Sequence, residues 1–318
     1  MENDKNQILL DKIKSIKAEI SKAILGKDEI IDKVLTVVIA GGHILLDDIP
    51  GVGKTTLALA LSKATSLNYQ RLQFTPDVLP TDVTGFTVYD KKTDSFIYKP
   101  GAALCNLFLA DEINRTSSKT QSALLEIMEE GNITVDGVTH EVPQPFCVIA
   151  TQNPIGYIGT QMLPESQLDR FTVCLSMGYP DSTDEVNILK GKQGNDPLKS
   201  VMAVASAEDI IAIRHAVDGV YTHDRVFNYI VALADATRNN EMISLGISPR
   251  GSVAIAHLAR ARAFMLGRDF VVPDDVTDVF IDAAAHRIAL SSKAKIGGLT
   301  STDVLKQILQ ETKCPGIN

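Results

Sequence analysis

A short apolar run, a glycine-rich turn and an alanine-rich helical pattern follow one another in residues 43–65. The turn reads LLDDIPGVGKTT and places glycines 51 and 53 directly before Lys54 and Thr55. A strand, a turn with this spacing and a helix form a phosphate-binding loop, in which main-chain N–H groups converge on phosphate oxygens. The sequence therefore favours a fold of parallel strands joined by crossover helices.

The loop departs from its usual fingerprint, G-x-x-x-x-G-K-[ST], at Asp48, which stands where glycine is expected. We expect Asp48 to be tolerated because a short polar side chain accepts left-handed geometry and can point away from the phosphates. Gly53 lets the main chain approach the phosphates, Lys54 reaches the β- and γ-phosphates, and Thr55 offers its hydroxyl to Mg²⁺. The predicted nucleotide-binding residues of the loop are Asp48, Pro50, Gly51, Val52, Gly53, Lys54, Thr55 and Thr56. An ordinary glycine-rich turn is the alternative, which the flanking strand and helix patterns disfavour.

Two further strand patterns end in polar residues suited to phosphate chemistry. NLFLAD ends in Asp111, which can bind Mg²⁺ directly or through water, and Glu112 follows it in position to activate the attacking water. FCVIATQN ends in Asn153, whose amide can orient that water or sense the γ-phosphate. The alternatives are that the acidic pair merely starts a polar loop and that Asn153 caps one.

Two arginines complete the candidate site. Arg170 lies in LPESQLDRF, where composition alone favours a local surface salt bridge over a role in the site. Arg250 follows Ser248 and Pro249, which have the pattern of a helix N-cap and first helical position. A cation in the first turn opposes the helix dipole by roughly 0.3–1 kcal/mol unless an anion offsets it, and a nucleotide phosphate is such an anion.

Strand and helix patterns divide the chain near residue 178. Residues 1–178 predict an α/β core with a parallel sheet and helices on both faces. Residues 179–318 predict an all-α second domain, with an exposed polar loop at 191–197. Its predicted helices are 184–190, 207–217, 225–238, 249–266, 274–289 and 302–311.

Length, charge and apolar runs limit the number of domains, the partners and the location expected of this chain. A chain of 318 residues with 45% apolar residues exceeds the size at which one core usually stops growing, which favours two domains. A net charge of −8 without a basic run lacks the footprint of nucleic-acid binding, so we expect no nucleic-acid partner. The apolar runs are too short to span a membrane and the N-terminus lacks a signal-peptide pattern, so we expect a cytoplasmic protein without membrane insertion.

The four cysteines are far apart in the sequence. We therefore expect Cys105, Cys147, Cys174 and Cys314 to be buried, reduced thiols.

The order of these motifs resembles that in the AAA+ ATPases, and their amino-acid sequences resemble those of the MoxR branch of that family. The segments that carry the resemblance are DDIPGVGKTTLA, LFLADEINR, QSALLEIMEEG, VIATQNP, LPESQLDRF, GYP and SPR, and they cover essentially the whole chain. The resemblance implies an AAA+ core followed by a helical lid domain. It also implies Walker A at Lys54 and Thr55, Walker B at Asp111 and Glu112, and sensor 1 at Asn153.

The same resemblance implies roles for three further residues. Arg170 corresponds to the arginine finger, Arg250 to sensor 2, and Gly26 lies in ILGKDE, which is similar to the segment lining the adenine pocket. Two hairpin patterns fit the branch as well. GFTVYDKKTDSFIYKPG resembles the helix-2 insert, and NITVDGVTHEV, with its Asp136-Gly137 turn, resembles the hairpin before sensor 1. The alternative is that both extend the sheet, and their tips carry little apolar surface for that.

The resemblance implies a Mg²⁺-dependent ATPase that assembles into a ring, a hexamer, with ATP and Mg²⁺ as cofactors. Arg170 of one subunit would act on ATP held by its neighbour. MoxR-like proteins are associated with chaperone-like remodelling, often of clients with a von Willebrand factor A domain. The alternatives are a magnesium-chelatase-type motor subunit and an ATP-gated scaffold with little turnover. A helicase ranks third, and the lack of an N-K-x-D motif disfavours a GTPase.

Overall fold

A computed structural model describes residues 2–153, 162–191 and 196–316. Its strands are β1 (Ile44–Asp47), β2 (Tyr69–Gln73), β3 (Gly85–Asp90), β4 (Ser95–Pro100), β5 (Leu107–Asp111), β6 (Asn132–Val135), β7 (Val138–Glu141), β8 (Cys147–Gln152), β9 (Val173–Leu175), β10 (Ile243–Leu245) and β11 (Ala289–Leu290). Its helices are α1 (Glu2–Ser21), α2 (Asp28–Ile39), α3 (Lys54–Thr65), α4 (Pro80–Thr84), α5 (Ser118–Glu130), α6 (Glu165–Leu168), α7 (Ser182–Gly191), α8 (Ala207–Asp218), α9 (Asp224–Arg238), α10 (Pro249–Met265), α11 (Pro273–Ala284), α12 (Ser292–Ile296) and α13 (Ser301–Glu311).

Five strands form a parallel sheet in the order β2-β5-β8-β1-β9. Asp47 at the end of β1 lies opposite Gln152 of β8, and Gln73 at the end of β2 lies opposite Asp111 of β5. Because all five strands run the same way, their carboxyl ends meet at one edge, and the loop to α3 leaves from that edge. The predicted parallel sheet is confirmed. β9 was not predicted, since three residues are too few to show a pattern.

The sheet separates two hydrophobic cores, because successive side chains of a strand point to opposite faces. Ile44 and Leu46 pack with α1, α2 and α3 on one face. Leu45 packs on the other face with Leu124 and Leu125 of α5. Helices therefore cover both faces, as predicted.

The region after β9 is mainly helical, and the predicted helices are present with small differences at their ends. The largest error is at α11, which ends at Ala284 rather than at 289. The chain turns back there, and β11 pairs antiparallel with β10 where no strand was predicted. Residues 192–195 of the predicted loop at 191–197 lie outside the described residues, and Pro197–Ser200 forms a 3-10 turn.

The larger of the two cores continues across the predicted domain boundary at residue 178. Ile16 of α1 and Val34 of α2 belong to the same buried cluster as Ile213 of α8 and Leu258 of α10. The first two helices therefore pack against the helical region as well as against the sheet. The division into residues 1–178 and 179–318 stays a prediction.

Both predicted hairpins are present as separate two-stranded sheets, β3–β4 and β6–β7, and neither extends the main sheet. They contact each other through Tyr98 and His140, whose rings stack with centroids 3.8 Å apart. The expectation of little apolar surface at the tips needs correction for the first hairpin. Beside its turn, Phe96 is 76% exposed and Tyr89 is 50% exposed.

The cysteines carry free thiols. Cys105 and Cys147 are buried, and burial raises the pKa of each to about 12. Cys174 is half-buried, and the expectation of burial is wrong for Cys314, which follows α13 and is exposed. In the described part of the chain, no helix has both the length and the apolar character needed to span a membrane.

Candidate nucleotide site

The loop between β1 and α3 turns through two glycines in the left-handed region. The φ angle is +90° at Gly51 and +101° at Gly53, a conformation that side chains disfavour. A Cβ atom at Gly51 would meet no atom within 4 Å, so its backbone conformation alone requires glycine. Gly53 is the N-cap of α3, and the positive end of this helix therefore points into the loop. This geometry suits a bound phosphate.

Lys54 brings a buried positive charge to the loop. The residue is 8% exposed, and its Nζ donates to the carbonyl oxygens of Asp48 at 2.6 Å and Gln152 at 3.4 Å. Within the described residues, these hydrogen bonds go to main-chain carbonyls and none goes to a carboxylate. Burial lowers the pKa of Lys54, and the more distant carboxylates offset only part of that effect. A buried ammonium without an ion pair is stabilised by an incoming anion.

Asp48 ties the loop to the chain that follows β9. Its carboxylate accepts hydrogen bonds from Ser176 Oγ at 2.9 Å, from Gly178 N at 3.2 Å and from Met177 N. The expectation that this position uses left-handed geometry is wrong. The described non-glycine residues with positive φ are Ser66, Asp94, Glu112 and Asp136. Asp48 is accommodated because three donors satisfy its buried carboxylate.

Other loop and pocket residues are placed as follows. Val52 is half-buried against the larger core, and Thr55 and Thr56 lie in the first turn of α3. Gly26 has φ +66°, and a Cβ there would overlap the Asp184 carboxylate of α7 at 1.5 Å. Close approach of α7 therefore requires glycine in the segment predicted to line the adenine pocket.

Asp111 stands at the carboxyl end of β5 with both oxygens bonded. Its Oδ1 accepts from Thr151 Oγ1 at 2.7 Å, and its Oδ2 accepts from Arg71 Nη2 at 2.6 Å. Sequence analysis missed Arg71 and Thr151, because the register of neighbouring strands brings them here rather than any local motif.

The described residues contain no group of three or more His, Cys, Asp or Glu side chains able to hold a metal ion. Mg²⁺ usually takes one or two carboxylates together with phosphate oxygens and water. Asp111 at the strand end and Thr55 in the first turn of α3 are donors of that kind, and Asp111 would bind the ion with oxygens that also accept from Thr151 and Arg71. These residues therefore suit a magnesium ion that arrives with a phosphate.

Glu112 is held by its backbone and by both carboxylate oxygens. Its φ is +57°, a strained value for a non-glycine residue, and its N–H donates to Thr151 Oγ1 at 2.8 Å. Its Oε1 accepts from Asn153 Nδ2 at 3.0 Å and its Oε2 from Arg115 Nη1 at 2.7 Å. Partial burial raises the pKa of Glu112, but the hydrogen bonds from Arg115 and Asn153 outweigh it and the pKa falls below its ordinary value. The carboxylate is therefore ionised at neutral pH.

Arg170 and Arg250 meet at a different place, on Glu129 near the end of α5. Arg170 Nη2 lies 3.5 Å from Glu129 Oε2, and Arg250 Nη2 bonds to Glu129 Oε1. These contacts share no residue with the hydrogen bonds of Lys54. The anion that offsets the first-turn cation Arg250 within this chain is thus Glu129, which sequence analysis did not identify. Its only sequence signal was the acidic end of the helix pattern QSALLEIMEEG.

Asp169, next to Arg170, joins this segment to the start of α10. Its carboxylate accepts from Ser248 Oγ at 2.8 and 2.9 Å and from Arg287 Nε at 2.9 Å. The Arg287 side chain is 2% exposed, and Ser248 is the N-cap of α10. These bonds fix the backbones that carry Arg170 and Arg250 beside each other.

Known proteins share this arrangement of core and lid. Residues 43–173 match the family described as ATPases associated with various cellular activities (AAA), and residues 235–308 match the AAA lid domain. Chaperone MoxR1 of Mycobacterium tuberculosis is 35% identical over 309 residues, which cover 94% of this chain and 81% of that protein. The chain belongs to the MoxR family of AAA+ ATPases. The family that the motifs resemble is thereby confirmed.

Other similarities extend over most of the chain. Protein MoxR of Methylorubrum extorquens is 28% identical over 86% of each chain. YeaC of Bacillus subtilis is 44% identical over 93% of this chain and 92% of its own. The crystal structure of a candidate ATPase from Cytophaga hutchinsonii has a TM-score of 0.91 and 34% identity and covers 98% of both chains. The MoxR-family fold thus spans the AAA core and the lid.

Proposed function

We propose that this MoxR-family chain binds ATP with Mg²⁺ at the loop before α3 and hydrolyses it. The observation that carries the proposal is Lys54, a buried ammonium whose hydrogen bonds in the described chain go only to carbonyls. The N-terminus of α3 and the left-handed turn at Gly51 and Gly53 add converging N–H donors around it. A triphosphate supplies the anion that this arrangement lacks.

In the proposed reaction, different residues of this chain bind the phosphates, hold the metal ion and activate the water. Lys54 and the loop N–H groups bind and orient the β- and γ-phosphates. Thr55 and Asp111 would hold Mg²⁺, which supplies charge neutralisation on those phosphates when bound. Glu112 takes a proton from the attacking water, and Asn153 orients the Glu112 carboxylate.

Arg115 has a restraining role in this scheme. Its bond to Oε2 occupies one of the two oxygens with which Glu112 accepts a proton. Glu112 therefore works as a base once that ion pair opens or once water reaches its other oxygen. The depressed pKa of Glu112 keeps the carboxylate ionised in the meantime.

We further propose that subunits assemble into a ring, a hexamer, with Arg170 completing the site of the neighbour. The contacts of Arg170 support this, because in its own described chain they run to Glu129 and not to the loop. ATP hydrolysis would then remodel a protein client, of the class with a von Willebrand factor A domain that the family resemblance implies. The name of the mycobacterial relative, Chaperone MoxR1, supports the client proposal.

Two variants test the site together. Lys54→Ala should weaken ATP binding by about tenfold or more, because it removes the cation facing the phosphates. Glu112→Gln should bind ATP within about twofold of the parental protein and lose about 10²–10⁴ in kcat, because an amide cannot accept the proton. Calorimetry gives the affinities, and phosphate release gives the rates.

Glu311→Gln, at the exposed end of α13, makes the same chemical change as Glu112→Gln away from the site and should leave both quantities unchanged. Unchanged ATP affinity in Lys54→Ala would reject the loop as the binding site. ATP binding without turnover in the assembled parental protein would identify an ATP-gated scaffold instead.

A further inference from the structure

Two arginines from separate parts of the sequence meet on a single carboxylate. Arg170 follows α6, Arg250 lies in the first turn of α10, and both contact Glu129 of α5. The side chains are 31%, 42% and 40% exposed respectively, so the cluster is open to a partner. Its three charges sum to one positive charge, and the side chains of Glu126 and Glu130 line the groove beside it.

Glu129 is what allows the two guanidinium groups to stay together. Like charges at this spacing repel, and each arginine side chain has other rotamers that reach solvent. The hydrogen bonds between Asp169 and Ser248 hold the two backbones close but leave the long side chains free to separate. The carboxylate of Glu129 supplies one oxygen to each arginine and removes that freedom.

The helix ends around the cluster reinforce this arrangement. Glu129 lies in the last turn of α5, whose negative end favours nearby cations. Arg250 lies in the first turn of α10, whose positive end favours a nearby anion. A groove beside the cluster is lined by Gln167, whose buried Oε1 has no hydrogen-bond partner within the described residues.

We propose that Glu129 is a positioning residue that presents Arg170 and Arg250 as one two-arginine unit to the phosphates held by a neighbouring subunit. This inference rests on the proposed ATPase function. Exposed ion pairs are weak, so a phosphate carrying more charge than one carboxylate can draw the arginines onto itself without a large conformational change. Glu129 acts only through the two arginines and touches no residue of the subunit's own loop.

The first test is Glu129→Gln, with Glu311→Gln at the exposed end of α13 as a matched control away from the groove. Glu129→Gln should lower kcat about 10–100-fold, less than the roughly 10³–10⁵-fold loss that removal of a whole arginine finger causes, because both arginines are still present. The KM and the affinity for ATP should stay within about twofold, because the nucleotide's own loop is untouched. Glu129→Asp keeps the charge and should recover part of the rate, and Glu311→Gln should match the parental protein.

Mixing experiments separate positioning from a general structural role. Lys54→Ala subunits carry an intact cluster, so adding them to Glu129→Gln subunits should restore part of the activity. Lys54→Ala/Glu129→Gln subunits added to Arg170→Ala subunits should restore about tenfold less than Lys54→Ala alone. The triple variant Glu129→Gln/Arg170→Ala/Arg250→Ala should be no slower than Arg170→Ala/Arg250→Ala, because Glu129 acts only through these two arginines.

The outcomes distinguish this inference from the proposed function. A parental protein that fails to hydrolyse ATP overturns the proposed function. A parental protein that hydrolyses ATP and depends on Arg170, while Glu129→Gln keeps the parental kcat, overturns only the role of Glu129. A kcat above the parental value in Glu129→Gln also overturns it, since Glu129 would then restrain the arginines rather than position them.

Discussion

His43 illustrates how the surroundings of one residue fix its protonation state. The Val148 N–H donates to its Nδ1 at 3.0 Å, so this nitrogen is the acceptor of a neutral ring. Its Nε2 then carries the proton and donates to the Met128 carbonyl at 3.0 Å. A second proton on Nδ1 would face the N–H of Val148. Burial lowers the pKa of His43 to about 4.

This pKa predicts that the protein loses stability in mild acid. The pKa of His43 in the folded state lies below the ordinary value of 6.5. The contribution of neutral His43 to the free energy of unfolding is therefore complete above pH 6.5 and is lost as the pH falls towards 4. The loss approaches about 1.4 kcal/mol per pH unit in that window, roughly 3 kcal/mol in all. Urea unfolding at several pH values measures it.

His43→Gln is the comparison for this measurement, because an amide can replace both hydrogen bonds without titrating. His286, whose pKa burial lowers to about 3, titrates in both proteins, and the difference between them isolates His43. The variant should be less stable at pH 7.5 and should show the shallower pH dependence. Parallel curves for the two proteins would show that His43 does not titrate on unfolding.

At the scale of elements, the ion pair of Asp169 and Arg287 fastens α10 and α11 to the end of the sheet. Besides Asp169, the Arg287 guanidinium donates to the carbonyls of Phe171 at 2.6 Å and Thr172 at 2.9 Å. The helical region is thus joined to the segment before β9 through a buried cation. The positions of Arg170 and Ser248 depend on this joint.

Asp169→Asn should destabilise the protein by about 2–3 kcal/mol, because it leaves Arg287 buried without its counterion. The value is below that of a fully buried pair because Asp169 keeps 20% of its side chain exposed. Asp278→Asn makes the same change at the exposed pair with Arg262 and should cost about 0–1 kcal/mol. Urea midpoints measure both variants. Equal midpoints would show that the buried joint contributes no more than a surface pair.

Sequence patterns predicted the parts of the site that lie within one element, and they failed where separate elements meet. The glycine turn before Lys54 and the acidic end of β5 are local features with local physical causes. Arg71 contacts Asp111 because of the register between neighbouring strands. Glu129 of α5 contacts two arginines because the segment after α6 and the start of α10 pack beside it. Neither contact leaves a periodic trace in one stretch of sequence. The short strands β9 to β11 were missed for a related reason, since two or three residues cannot establish alternation.

At the scale of the whole molecule, the proposed ring predicts that only assembled subunits hydrolyse ATP efficiently. Specific ATPase activity should rise with protein concentration, because an isolated subunit lacks the arginine of its neighbour. Arg170→Ala should bind ATP almost normally and lose about 10³-fold or more in rate. Steady-state rates over a concentration series, with sedimentation to follow assembly, measure both effects.

Combining two impaired proteins checks the shared site directly. A Lys54→Ala subunit cannot bind ATP but can lend Arg170 to an Arg170→Ala neighbour, so the mixture should regain activity when subunits exchange. If exchange is demonstrated independently, a mixture that stays inactive together with a flat concentration dependence would assign Arg170 to its salt bridge with Glu129 alone.

The core that α1 and α2 share with α8 and α10 limits how this protein can be recombined with its relatives. A cut at residue 178 would separate Val34 from Leu258 and leave an apolar face on each fragment. The two fragments would therefore aggregate or associate with each other rather than fold independently. A lid exchanged between two relatives would therefore have to bring the matching faces of α1 and α2 with it.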